Sequence, residues 1–159
     1  MSEMGGEMAG ALSTDRLMVF DVSGTSYALP IAGILEVVEV TGVNCVPMVP
    51  RDRGGIINWH GEALPVVAPH LLLGGTAIAL RAPGEAQPYL VVSDDRPDAS
   101  ASLGLPIDFV SGLVDGVPGR PHDNQVVVER RPVDGRVVSV IDPRRLVTRA
   151  AEVIESAAT

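Results

Sequence analysis

The sequence contains no lysine: all 12 of its basic residues are arginine. That absence removes a P-loop lysine, a Schiff-base lysine and a Ser-Lys dyad together. Cysteine is nearly as scarce, and a single Cys45 cannot close an intrachain disulfide, so nothing argues for an oxidising compartment. Only five residues are aromatic (Phe20, Tyr27, Trp59, Tyr89 and Phe109), which leaves core filling to Val, Leu and Ile. No apolar run approaches the roughly 20 residues needed to span a bilayer. The opening MSEMGGEMAGA lacks the basic and apolar regions of a secretory signal, and a polybasic membrane patch is missing. The expectation is a cytoplasmic protein with no direct membrane insertion.

What is present narrows the class further. Asp and Glu number 20 against the 12 arginines, a net charge of −8 that repels phosphate backbones and argues against nucleic-acid binding. A chain of 159 residues can bury a core of its own. Its 17 Gly and 13 Pro leave little room for long helices and favour short strands joined by tight turns.

Residues 1–15 are Gly-, Met- and acid-rich without periodicity and read as a disordered N-terminal tail. From Arg16, RLMVFDV and TSYALPI flank Ser23-Gly24 as a hairpin, with Tyr27, Leu29 and Ile31 on one face of a half-buried strand. ILEVVEV (Ile34 to Val40) is a further strand, followed by the Pro-bounded VPMVP. IINWHGEALPVV suits a second hairpin turning at His60-Gly61-Glu62. HLLLGG makes one helical turn ended by Gly74.

Thr76 to Gln87 reads as a surface connection, PYLVVS as a strand and DDRPDASAS as a polar loop. LGLPIDFVSGLV predicts a strand broken at Ser111-Gly112, and Asp115 to Asn124 a loop. QVVVER and RVVSVID form a hairpin about Asp134-Gly135. Asp142 at N-cap, Pro143 at the first helical position and a stripe of Leu146, Val147, Ala150, Val153 and Ile154 predict a helix to about Ser156. The total is nine or ten short strands plus a terminal helix, the pattern of small barrels or sandwiches.

No constellation carries evident chemistry. His60, His70 and His122 show no metal-ligand spacing, there is no G-x-S-x-G elbow, and the Gly pairs do not open a helix with phosphate-binding spacing. Asp94-Asp95 and Asp108 suit turns better than paired acid-base carboxylates, and Cys45 reads as a structural thiol. The expectation is therefore no enzyme activity, no cofactor and no metal.

One ordered series of motifs does carry a signal: F-D-V-S-G-T-S-Y-A-L-P-I, then I-L-E-V-V, V-P-M-V-P, G-G-I-I-N-W-H-G-E-A-L-P-V-V and L-L-L-G. The series resembles the bacterial chemotaxis coupling proteins, the CheW family, and the CheW-like domains of chemotaxis kinases. The match is best over Leu17 to Gly74 and fainter at Leu103 to Val117 and Val137 to Val147. The resemblance implies a mainly β fold of two small five-stranded SH3-like barrels around a shared core, with a C-terminal helix. Residues 16–159 would then be a single domain of two intimate barrel subdomains.

It also implies a non-catalytic adaptor that couples chemoreceptors to a CheA-type histidine kinase or modulates that kinase by occupying its regulatory-domain surface. Its partners would be that regulatory domain and the cytoplasmic tip of a chemoreceptor, at membrane-associated receptor arrays. On this likeness Glu36, Val37 and Val38 fall on the kinase-facing strand. Asn58, Trp59, His60 and Gly61 fall on the receptor-facing turn.

The chain departs from the family pattern in three places. Trp59-His60 stands where the family has Leu-Arg, so a fixed cation becomes an imidazole. Val67-Ala68-Pro69-His70 replaces a Val-Asp-Leu, and the stretch from Val114 to Val137 is short. Trp59 is either a core plug of the first barrel or an aromatic anchor at an interface, with the anchor favoured. Two other classes stay open: a small hydrolase or metal enzyme using His60, His70 and a carboxylate, and a small-molecule-binding barrel with an enclosed pocket.

Overall fold

The structure, a computed structural model, describes residues 16–42, 44–45, 55–75, 85–94, 100–115 and 118–158. The expected tail at 1–15, the Pro-bounded stretch at 46–50 and most of the connection at 76–87 lie outside the described residues. The strands are β1 (Leu17–Val22), β2 (Thr25–Pro30), β3 (Ile34–Val40), β4 (Asn44–Cys45), β5 (Gly55–Trp59) and β6 (Glu62–Val66), then β7 (Gln87–Val92), β8 (Leu103–Pro106), β9 (Phe109–Val114), β10 (Arg120–Asn124), β11 (Val127–Val133) and β12 (Arg136–Ile141). The helices are a short α1 (Pro69–Leu73) and the terminal α2 (Pro143–Ala158).

Two six-stranded sheets result, ordered β10-β11-β12-β2-β1-β9 and β3-β7-β8-β6-β5-β4. Each contains one parallel pair, β12 with β2 and β6 with β8. The chain starts in the first sheet, builds the second, and returns. It leaves through a 3-10 turn at Ile31–Gly33 and comes back at Ile107-Asp108, where the Ile107 amide donates to the Pro88 carbonyl in one sheet and that of Asp108 to Asp21 in the other.

The β-rich fold with two small barrels and a C-terminal helix is the one expected. Each sheet has six strands rather than five. β4 is a two-residue pairing, and β10 (RPHDN) is too polar to be recognised as a strand, so the predicted loop at 115–124 contains an edge strand. The break predicted at Ser111-Gly112 falls instead at Ile107-Asp108. Ser111 and Gly112 lie within β9, beside the irregularity in its pairing with β1 between Val19 and Phe20.

Each sheet curls around its own apolar cluster: Leu17, Val19, Ala28, Val138 and Val140 in the first barrel, and Ile57, Leu64, Val66, Tyr89 and Val91 in the second. The faces turned toward one another share a third, larger core that includes Phe20, Leu29, Leu90, Leu105 and, from α2, Leu146. β1 and β2 are therefore buried on both faces rather than half-buried. Tyr27 and Leu29 enter the shared core, while the small Ala28 between them fits the barrel interior. Such doubly covered strands need the near-continuous apolar runs that the sequence supplies.

Three hairpins turn on two residues of positive φ each, as the right-handed twist of the flanking strands prefers: Ser23-Gly24, His60-Gly61 and Asp134-Gly135. The Asp142 carboxylate accepts from the Arg144 amide, so the expected N-cap of α2 is in place.

Candidate functional site

Among the described residues, β3 is an edge strand of the second barrel, paired on one side only, with β7. Its residues alternate. Leu35, Val37 and Glu39 point to solvent, while Val38 and Val40 pack against the barrel's cluster. Val37 is 40% exposed, so of the two valines on the predicted strand it is the one free to touch a partner. With Leu35 it forms an exposed apolar strip on an unpaired edge, an arrangement that soluble proteins generally cover or use.

Glu36 turns the other way and reaches across the barrel to the β5–β6 hairpin. One of its carboxylate oxygens accepts a hydrogen bond from the Trp59 indole Nε1 at 2.9 Å and lies 2.9 Å from His60 Nε2. Hydrogen bonding from His60, then from Trp59, holds the Glu36 carboxyl below the usual carboxylate range, and the small desolvation it suffers opposes this. Trp59 and His60 also meet edge to face, with ring centroids 4.8 Å apart. Asn58 fixes the turn by accepting the Gly61 amide at 2.9 Å, and Gly61 supplies a positive φ of 83° that a side chain would strain.

The two sets of residues assigned to separate faces in the sequence thus converge. Glu36, Trp59 and His60 form one cluster, Asn58 and Gly61 shape the turn beneath it, and Val37 presents outward beside it. Trp59 packs against the core of the second barrel, the one built from β3–β8, rather than that of the first. Its ring fills space and its N–H is spent on Glu36.

Sequence reasoning missed a second apolar surface. Phe109 and Leu113 on β9 are each 53% exposed and Val110 is exposed beside them, on an edge strand of the first barrel. Alternation could not have revealed it, because these residues read as core.

The groups that an enzyme would need do not assemble among the described residues, where no three of His, Cys, Asp and Glu gather as metal ligands. His60 faces Glu36, whereas His70 lies on α1 along a hollow of about 250 Å³ that Tyr27 also lines. No described helix is long and apolar enough to cross a membrane.

The model of the CheW-like domain family matches residues 16–151. The solved structure of the scaffolding protein TtCheW from Thermoanaerobacter tengcongensis is similar, with a TM-score of 0.66 at 22% identity, over 84% of this chain and 92% of that one. No curated protein sequence matches the chain. A match over most of the chain, joined to a two-barrel fold of the same kind, makes this protein a member of the CheW-like domain family.

Proposed function

We propose that the protein is a non-catalytic adaptor of chemotaxis-type signalling, in which residues 16–159 act as one domain joining a CheA-type histidine kinase regulatory domain to a chemoreceptor cytoplasmic tip. The observation that carries this reading is the β3 edge, unpaired among the described residues, with its exposed Leu35 and Val37, in a chain whose family is CheW-like. An adaptor needs such an edge, because a partner can add main-chain hydrogen bonds there and seat side chains against the apolar strip. Val37 is the kinase contact in this reading, and Glu36 and Val38 orient the strand from behind. Asn58, Trp59, His60 and Gly61 form the receptor-facing turn. The protein works in the cytoplasm at membrane-associated receptor arrays, without a cofactor.

Calorimetry with the cognate kinase regulatory domain tests it. Affinity on the order of 1 μM is expected, in the range of regulated signalling contacts. Glu36→Arg should weaken it, since a guanidinium cannot accept a hydrogen bond from Trp59 or His60. Absence of heat at concentrations far above that range would reject the adaptor reading, and unchanged affinity in the variant would reject β3 as the contact.

A further inference from the structure

The two edges of the first sheet, β9 and β10, follow one another in sequence, yet no ladder joins them among the described residues. At this open seam lies a groove of about 770 Å³ whose lining includes Val114, Asp115, Gly119, Arg120, Arg131 and Asp134. Arg131 is the unusual member. Its side chain is only 5% exposed, its Nε donates to Glu129 at 2.8 Å, and its buried Nη1 has no hydrogen-bond partner. Guanidinium donors are rarely left unmatched once removed from water.

The backbone is shaped around this group. The Gly119 amide donates to the same Glu129 oxygen at 2.6 Å. A Cβ at Gly119 would stand 2.7 Å from the Arg131 Cα, so only glycine lets β10 come this close. Glu129 is thereby fixed by two donors, and Arg131 is held in place with one edge of its fork unused.

We propose that this seam is a recognition groove for a carboxylate carried on an extended segment of a protein partner, with the carboxylate pairing to Arg131. The charges around the groove balance, and the uncommitted Arg131 edge is where one added negative charge would pair. Arg16, Arg120 and Arg131 are balanced by Asp115, Glu129 and Asp134, with Asp115 committed to Arg16 at 3.2 Å. A dianionic phosphate would meet two flanking aspartates, whereas a carboxylate matches one guanidinium edge. The extended form follows from the flanking strands, whose unpaired edges offer main-chain partners to a third strand. The groove is on the barrel that does not carry β3, so the inference stands apart from the kinase reading.

The test is an NMR titration of the ¹⁵N-labelled full chain at fixed ionic strength with three probes: the blocked peptide Ac-Thr-Val-Glu-Val-Thr-NH2, its Gln counterpart, and sodium acetate. The Glu peptide should shift the Arg131 Nε–H and Gly119 amide signals saturably and bind about tenfold or more tighter than the Gln peptide. Acetate should reach the same signals only at much higher concentration. Arg131→Lys keeps the charge without the fork and should bind the Glu peptide at least about fivefold more weakly. Equal shifts with both peptides, or none with either, would overturn the proposal on the native chain alone. Acetate binding as tightly as the Glu peptide would overturn the partner-segment assignment, and undiminished binding to a folded Arg131→Lys would overturn the role of Arg131.

Discussion

The two barrels manage their edges by opposite means. In the second, Glu36 on edge strand β3 is tied to Trp59 and His60 by hydrogen bonds at a half-exposed surface. In the first, β9 and β10 are unjoined among the described residues, and a buried Arg131–Glu129 pair stands behind the opening. A surface pair loses little hydration when formed and contributes little to stability. A buried pair carries a large desolvation cost, so breaking it from one side leaves a charge without compensation. The first seam should therefore be brittle and the second tolerant, although both sit on one shared core.

The largest effect should come from Arg131→Met, which strands the largely buried Glu129 carboxylate. A loss of about 3–5 kcal/mol is expected in chemical denaturation. The double variant Glu129→Gln/Arg131→Met should recover part of that loss. If the single variant were as stable as the native chain, the contrast between the seams would be false.

Leu105→Ala probes what the barrels share. Leu105 is fully buried in the core between them, and truncation should cost about 2–5 kcal/mol. Trp59, the sole tryptophan, reports on the second barrel, while far-UV circular dichroism reports on both. The two midpoints should fall together. Separate transitions would show the barrels to be independent units.

Acid should act on both seams in the same direction. Burial raises the Glu129 carboxyl, but bonding from Arg131 and from the Gly119 amide outweighs it, so the net shift is downward, as for Glu36. Both groups hold their protons less firmly in the folded chain than in the unfolded one. Their contribution is complete above the ordinary carboxylate range and is lost as pH falls through the lowered folded values. Glu36→Gln should abolish the part of this transition seen in Trp59 emission while leaving the part seen at the Gly119 amide by NMR. Removal of both signals by that one change would mean that the seams titrate as one.

Much of the fold was legible because its signals are local. The three turns carry Ser-Gly, His-Gly and Asp-Gly, the residues that positive φ demands, and the cap and apolar stripe of α2 lie within a few positions of each other. β10 was hidden because an edge strand made of Arg, Pro, His, Asp and Asn buries almost nothing. The candidate site was legible as residues but not as a cluster. Glu36 and Trp59 are 23 positions apart and meet only because the sheet curls. Arg131 was invisible because it reads as part of the connection between QVVVER and RVVSVID, whereas the strand runs on through it to Val133 and the fold buries it.

The smallest expected change in stability is the one most informative about function. Val37 is exposed on its outward side, so Val37→Glu should move the unfolding free energy by no more than about 0.5 kcal/mol. If a kinase domain docks on this strip, the same substitution places a carboxylate in the centre of an apolar contact and should weaken binding by at least about tenfold. Val38→Ala provides the mirror image. Val38 faces the barrel interior, so its truncation should cost about 1–2 kcal/mol of stability while the folded protein keeps its affinity. A binding loss in the Val38 variant that matches that of Val37→Glu would mean the partner senses the integrity of the whole second barrel. Loss in Val37→Glu alone would confine recognition to the outer face of β3 and leave the open seam of the first barrel to a different occupant.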